Sequence, residues 1–254
     1  MKNIRLRLEY DGTSYFGWQR QKNAVSIQQV IEEGICSITG ENVALIGSGR
    51  TDSGVHARGQ VANFHTNSSI PPDKFSFALN TRLPLDIRVK ESKEVPMDFH
   101  ARYCALAKRY TYSMVMDRQG IAIGRDYYYH VKQNLDIDNM VRGAKIFQGT
   151  HDFKAFMSKG SSVKSTVRTI YSSHIISKPP FLYFDVIGSG FLYNMVRIMV
   201  GTLIEVGRGK LTFFDVGKII EKGYRELAGP TVPAHGLCLE EVYYTEDELF
   251  SNIL

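Results

Sequence analysis

Long uninterrupted apolar runs are missing from this 254-residue chain. The longest candidate, Phe191 to Val206, is broken by Asn194, Arg197 and Glu205, so it does not read as a membrane span. The amino terminus, MKNIRLRLEY, alternates charge with hydrophobe and lacks the apolar core of a signal peptide. Cysteine is scarce as well. Cys36, Cys104 and Cys238 are an odd number spread along the chain, with no CxxC pair and no histidine at ligand spacing beside them. A disulfide scaffold and a zinc module are therefore excluded, no metal site is expected, and reduced thiols in a cytoplasmic protein fit best. Residues 226–254 contain no Lys or Arg against six acidic residues.

What is present is ordinary globular composition, 43% hydrophobic and 22% charged, enough for a sizeable core. The net charge of +5 is too small to demand a nucleic-acid partner. Its distribution says more: residues 1–100 hold 12 Lys/Arg against 11 Asp/Glu, while residues 101–225 hold 19 against 9. A polyanion running over the second half and a merely solvated basic surface both account for that excess.

Ile4, Leu6, Leu8 and Tyr10 alternate with charged residues, the period of a strand with one buried face. Ser26 followed by Gln29 suggests a capping box, and Ile27, Val30, Ile31, Ile35 and Ile38 recur at helical spacing over 26–39, with Gly34 weakening that helix slightly. A strand is predicted at Val43 to Ile46, a glycine-rich loop at Gly47 to Gly59, a strand at Gln60 to Thr66, a helix at Asp73 to Leu79 and a strand at Asp86 to Lys90. That order is the split βαβ pattern of ferredoxin-like units. The second half repeats the order without residue identity: a strand at Lys108 to Met116, a helix at Asp136 to Phe147 and a hairpin of Thr166 to Ile176 with Phe181 to Ile187. A helix at Leu192 to Val206, an extra helix near Phe213 to Tyr224 and a closing strand at Leu237 to Tyr244 complete it. Tyr127-Tyr128-Tyr129 reads as a strand with mixed faces. The fold class is thus α+β, two ferredoxin-like, RRM-like subdomains with antiparallel sheets, 1–100 and 101–254. Because sheets of this kind join edge to edge, one extended sheet with a central basic cleft is the expected assembly.

The segment from Gly47 to Gln60 is the most informative. Four glycines among its fourteen residues permit close backbone approach to a ligand, and Arg50, Asp52, His56 and Arg58 crowd reactive groups between two strands. Taken alone, an Asp among glycines reads first as a turn-former. Two further positions stand out. Arg197 is the only charge between Asp185 and Glu205, on a broad apolar stripe of Leu192, Met195, Val196, Met199, Val200 and Leu203. Such an arginine is either paired or lies with its stem on the apolar surface and its head in water. Tyr110 shares a strand face with Tyr112, Met114 and Met116, where pattern alone favours core and does not choose between the two tyrosines.

The string GRTDSGVHARGQV resembles the motif of the TruA family of tRNA pseudouridine synthases. So do Tyr10-Asp11-Gly12 with Phe16-Gly17-Trp18-Gln19-Arg20-Gln21, Phe99-His100-Ala101-Arg102 with Lys108-Arg109-Tyr110, Met195-Val196-Arg197 with Val200-Gly201, and Gly236-Leu237. These lie in family order from residue 10 to about 240, so the resemblance covers nearly the whole chain. It implies that Asp52 is the nucleophile, that Arg50 helps displace and hold the target nucleotide, that Tyr110 stacks on the flipped uracil and that Arg197 is the ion partner of Asp52. Arg58 is a candidate phosphate contact and His56 either touches RNA or buttresses the loop. The resemblance further implies a homodimer, tRNA as partner, targets at uridines 38 to 40 of the anticodon stem-loop and no cofactor. The chemistry agrees: the isomerisation breaks a bond from ribose to nitrogen, turns the base and rejoins it through carbon, so atoms and electrons balance. What it requires is an ionised carboxylate, and a neighbouring guanidinium opposes the pKa rise that burial would cause. Two other classes fit less well. A passive RNA-binding pair of RRM-like units would carry an RNP1 string, and a base-releasing glycosidase would carry an acidic partner for Asp52; neither feature is apparent.

Overall fold

The computed structural model describes residues 1–160 and 163–253. Its strands are β1 (Lys2–Tyr10), β2 (Ile46–Gly47), β3 (His56–Thr66), β4 (Ile87–Val95), β5 (Ala107–Met116), β6 (Tyr129–Val131), β7 (Gly149–Asp152), β8 (Val167–Lys178), β9 (Phe181–Gly188) and β10 (Leu237–Tyr243). The helices are α1 (Ile27–Thr39), α2 (Phe75–Asn80), α3 (Ile137–Ile146), α4 (Met195–Gly207), α5 (Phe213–Lys222) and α6 (Glu246–Phe250). The class is α+β, as the element order predicts. Two compact units divide the chain: Met1–Leu106 with Cys238–Glu248, and Ala107–Leu237 with residues from Leu249 on.

In the first unit β1 lies between β3 and β4, antiparallel to both, and β2 pairs with the far end of β3 through Ile46 and Asn63. The strand order β4-β1-β3-β2 is that of a split βαβ unit. Ile4, Leu6 and Leu8 on β1 are fully buried, and each contributes roughly 1.5–3 kcal/mol through burial. The amphipathic helix forms where predicted: Ser26 accepts a hydrogen bond from the Gln29 amide at 3.3 Å. The predicted capping box is only half made, since the Gln29 side chain donates to Glu33. A buried asparagine pair ties the segment after β4 to the sheet. Asn63 donates to Asn3 Oδ1 at 2.9 Å and accepts from the Ala101 amide at 2.9 Å, while Asn3 donates to the carbonyls of Pro96 and Phe99. The Phe99 to Arg102 signature is therefore anchored by satisfied buried polar groups.

Three sequence readings shift here. The strand after the glycine-rich loop begins at His56, four residues before Gln60, so His56 and Arg58 are strand residues. The strand predicted at Val43 to Ile46 is the two-residue β2. Cys238–Glu248, placed by sequence in the second half, belongs to the first unit: Cys238 and Leu239 of β10 run parallel to β3 at His56 and Ala57.

In the second unit β5, β9, β8 and β7 form an antiparallel sheet in that order, with β6 parallel along β5. Phe147, Phe153, Phe156 and Phe184 are fully buried, with Phe147 at 5.2–6.5 Å from the other three rings, and they fill the core beside α3. The predicted hairpin is β8 and β9. Asp136 caps α3 by accepting from the Asn139 amide, and Thr212 with Asp215 makes a complete capping box on α5. Tyr127 ends a 3-10 turn and Tyr129 opens β6, so the tyrosine run is not one strand. Helix α4 starts at Met195, three residues later than its apolar spacing predicts. Among the described residues no helix is long and apolar enough to cross a membrane.

Candidate active site

Ser48 to Val55 link β2 to β3, and nearly every residue of this loop is tied down through backbone. The Ser48 amide donates to Val61 O at 2.7 Å, the Ser48 hydroxyl to Gln60 Oε1 at 2.6 Å, and Gln60 returns a bond to Gly49 O. Thr51 is held twice: its carbonyl accepts from the Trp18 amide at 3.0 Å and its hydroxyl meets Tyr10 Oη at 2.8 Å. Burial pushes the Tyr10 phenol up, so it stays protonated and the bond stays neutral. Asp52 opens a turn closed by the Val55 amide donating to its carbonyl at 3.1 Å. Gly54, third in that turn, has φ 78°, the value a type II turn needs. The turn is thus closed by main chain. Ser53 Oγ and the Gly54 amide both donate to Tyr15 O, at 3.2 and 3.4 Å.

The segment just after β1 forms the bed of this loop. A Cβ on Gly12 would lie 2.1 Å from Val55 O, which only glycine permits. His56 is 6% exposed. Its Nδ1 lies 3.1 Å from both the Gly12 amide and Asp11 Oδ1: without a hydrogen it accepts from the amide, and with one it donates to the carboxylate. Those two contacts require different placements of the ring hydrogen, and both hold the bed against the loop. Arg50 is exposed and Asp52 half-buried. Arg58 projects from β3 with its side chain 70% exposed and donates to Glu240 Oε1 at 2.9 Å, a pairing that raises the guanidinium pKa further.

Tyr110 and Arg197 lie in the second unit. The Tyr110 ring, 7% exposed, meets Phe191 edge-on at 5.2 Å and 83°. Tyr112 is fully buried; its hydroxyl donates to Pro233 O at 2.8 Å, and burial pushes its pKa up. Both tyrosines are buried, with different neighbours. Arg197, in the first turn of α4, donates from Nε to Val232 O at 2.7 Å and from Nη1 to Asn194 Oδ1 at 2.7 Å. It is half-buried in a helix otherwise almost wholly buried. Among the described residues no group of three or more His, Cys, Asp or Glu is arranged to hold a metal ion.

The profile of the family described as tRNA pseudouridine synthase matches residues 8–104 and 144–245. The tRNA pseudouridine synthase A of Acetivibrio thermocellus is 55% identical over 244 residues, covering 96% of this chain and all of that one. The chain belongs to the tRNA pseudouridine synthase family. The enzyme of the same name from Clostridium acetobutylicum is 52% identical over 96% of this chain and 100% of its own. Among solved structures, a chain of a Cbf5-Nop10-Gar1 complex aligns at TM-score 0.38 and 12% identity over 95% of this chain and 59% of its own, too distant to bear on the argument.

Within the family's matched segments lie all the loop residues and Arg197, whereas Tyr110 falls between them. Sequence reasoning missed the residues that support this synthase's site: Tyr10 and Trp18 on Thr51, Phe191 on Tyr110, and Asn194 on Arg197. Tyr10 and Trp18 stood in the amino-terminal signature with no role assigned, and Asn194 left a signal of its own, a residue of helix-capping type placed inside a predicted helix.

Proposed function

We propose that this chain isomerises uridine to pseudouridine in tRNA, with Asp52 as the nucleophile and no cofactor in the step. The observation that carries this reading is the Gly49-Arg50-Thr51-Asp52 loop, located by main-chain hydrogen bonds, in a chain 55% identical to a protein named tRNA pseudouridine synthase A. The bond from ribose to nitrogen breaks, the base turns, and a carbon of the same ring takes the sugar; nothing enters or leaves overall. Asp52 attacks or stabilises the sugar as that bond breaks. Arg197 supplies the positive charge that keeps the carboxylate ionised against desolvation. Arg50 helps displace the nucleotide, since a base within structured RNA must be extruded before it can react, and Tyr110 stacks on the extruded uracil. Arg58 contacts phosphate, and buried His56 serves as the buttress of the loop. By the same resemblance the enzyme is a homodimer acting at uridines 38 to 40 of the anticodon stem-loop, and its sparse, unpaired cysteines fit the cytoplasm.

The test is to incubate the purified protein with an unmodified tRNA transcript and map pseudouridine by carbodiimide-blocked primer extension, beside Asp52→Ala. Stops in the anticodon stem-loop with wild type, and none with a variant that still binds tRNA, are expected. A wild-type protein that binds tRNA and leaves every uridine unchanged would favour a passive RNA binder.

A further inference from the structure

Asn194 is the one non-glycine residue with positive φ among the described residues, at φ 61° and ψ 9°. Left-handed backbone disfavours L side chains, and asparagine is among the few that tolerate it. Strain of this kind persists where the surrounding structure uses it. Here both ends of the amide are engaged: Nδ2 donates to Ser158 Oγ at 2.9 Å, and Oδ1 accepts from Arg197 Nη1 at 2.7 Å. Arginine can only donate, which settles which way the amide faces.

The second acceptor on Arg197 comes from a separate segment that is itself fastened to α4. Val232 O takes the Nε hydrogen at 2.7 Å, the Val232 amide donates to Arg197 O at 3.5 Å, and the Gly229 amide donates to Thr202 Oγ1 at 2.9 Å. A guanidinium is a rigid plane with its N–H bonds in a fixed fork. One acceptor at Nε fixes the direction of that N–H bond; a second acceptor at Nη1, in the same plane, holds the plane against rotation about Cδ–Nε. In this left-handed conformation Asn194, three positions before Arg197, lays its side-chain oxygen against the Arg197 guanidinium.

We propose that Asn194 is a positioning residue that sets the plane of the Arg197 guanidinium and so presents its positive charge in one orientation. This rests on the role proposed above for Arg197, but the orientation itself can be read without any activity. Asn194→Gly keeps a residue at ease with positive φ and removes only the acceptor, so it separates the side chain from the backbone. In uniformly 15N-labelled full-length protein, the Arg197 Nη groups, assigned by their loss in Arg197→Met, should give resolved signals in wild type and a single averaged signal in Asn194→Gly. On tRNA transcript, kcat should fall about tenfold with KM moved less than about twofold. The double variant Asn194→Gly/Arg197→Met should turn over no more slowly than Arg197→Met alone, because one residue acts through the other. Wild-type Nη signals in Asn194→Gly, or losses that multiply in the double variant, overturn the proposal. A wild-type protein that forms no pseudouridine overturns the proposed function instead, and the 15N measurement then decides this inference alone. If Asn194→Gly does not fold, Ser158→Ala unties the far end of the same amide; a smaller change in the same direction is expected, and unchanged Nη signals count against the proposal.

Discussion

Ser48 to Val55 is located by main-chain hydrogen bonds from Trp18, Val61 and its own turn, with Tyr15 O as a further acceptor and Gly12 pressed beneath it. Arg197 is located by side-chain geometry, from Asn194 on one nitrogen and a carbonyl on another. The proposed nucleophile therefore inherits its position mainly from main chain, whereas one of the contacts that place the proposed cation, the Asn194 amide, can be removed by a single substitution. A carboxylate that must meet one sugar needs a fixed origin, and a long arginine arm needs its last bonds constrained.

Gly12→Ala should break the first half of this contrast most severely. Its added carbon would meet the Val55 carbonyl, backbone that cannot move aside cheaply. Unfolding in denaturant should show a loss of about 2–3 kcal/mol, and turnover on tRNA should drop about a hundredfold; wild-type turnover would refute main-chain location of the loop. Tyr10→Phe removes a single hydroxyl partner of Thr51 and leaves the Trp18 bond in place. A cost of about 1 kcal/mol in denaturant unfolding is expected, with turnover reduced less than about tenfold; a larger drop would mean that the loop, like Arg197, relies on one side chain. Arg58→Ala should matter least to stability. Its pair with Glu240 is largely exposed, so thermal unfolding should move by no more than about 0.5 kcal/mol and converge with wild type at high salt. A raised KM for tRNA with unchanged kcat would support its proposed phosphate contact.

Much of this architecture was legible in sequence because it rests on periodicity. Strand β1, helix α1 and the β8–β9 hairpin carry clean alternation or helical spacing, and each appears within a few residues of its predicted place. What escaped depends on tertiary contact. His56 to Gly59 mix polar residues and glycine, so their pairing with β1 and β10 leaves no local pattern. Leu192 is buried and continues the apolar spacing of α4 although it precedes the helix, which hid the left-handed Asn194. The loop itself was legible as chemistry from its residue types and from family likeness, while Tyr10, Tyr15 and Trp18, which steady it, lie 33 to 41 residues from their partners in sequence.

The return of Cys238–Glu248 to the first unit has a bearing on biosynthesis. Its final strand is translated 132 residues after Leu106. At typical translation speeds, the emerging amino-terminal half waits on the order of ten seconds for that strand. Until then the His56 end of β3 lacks a pairing partner on that side, an edge that cellular chaperones would be expected to shield.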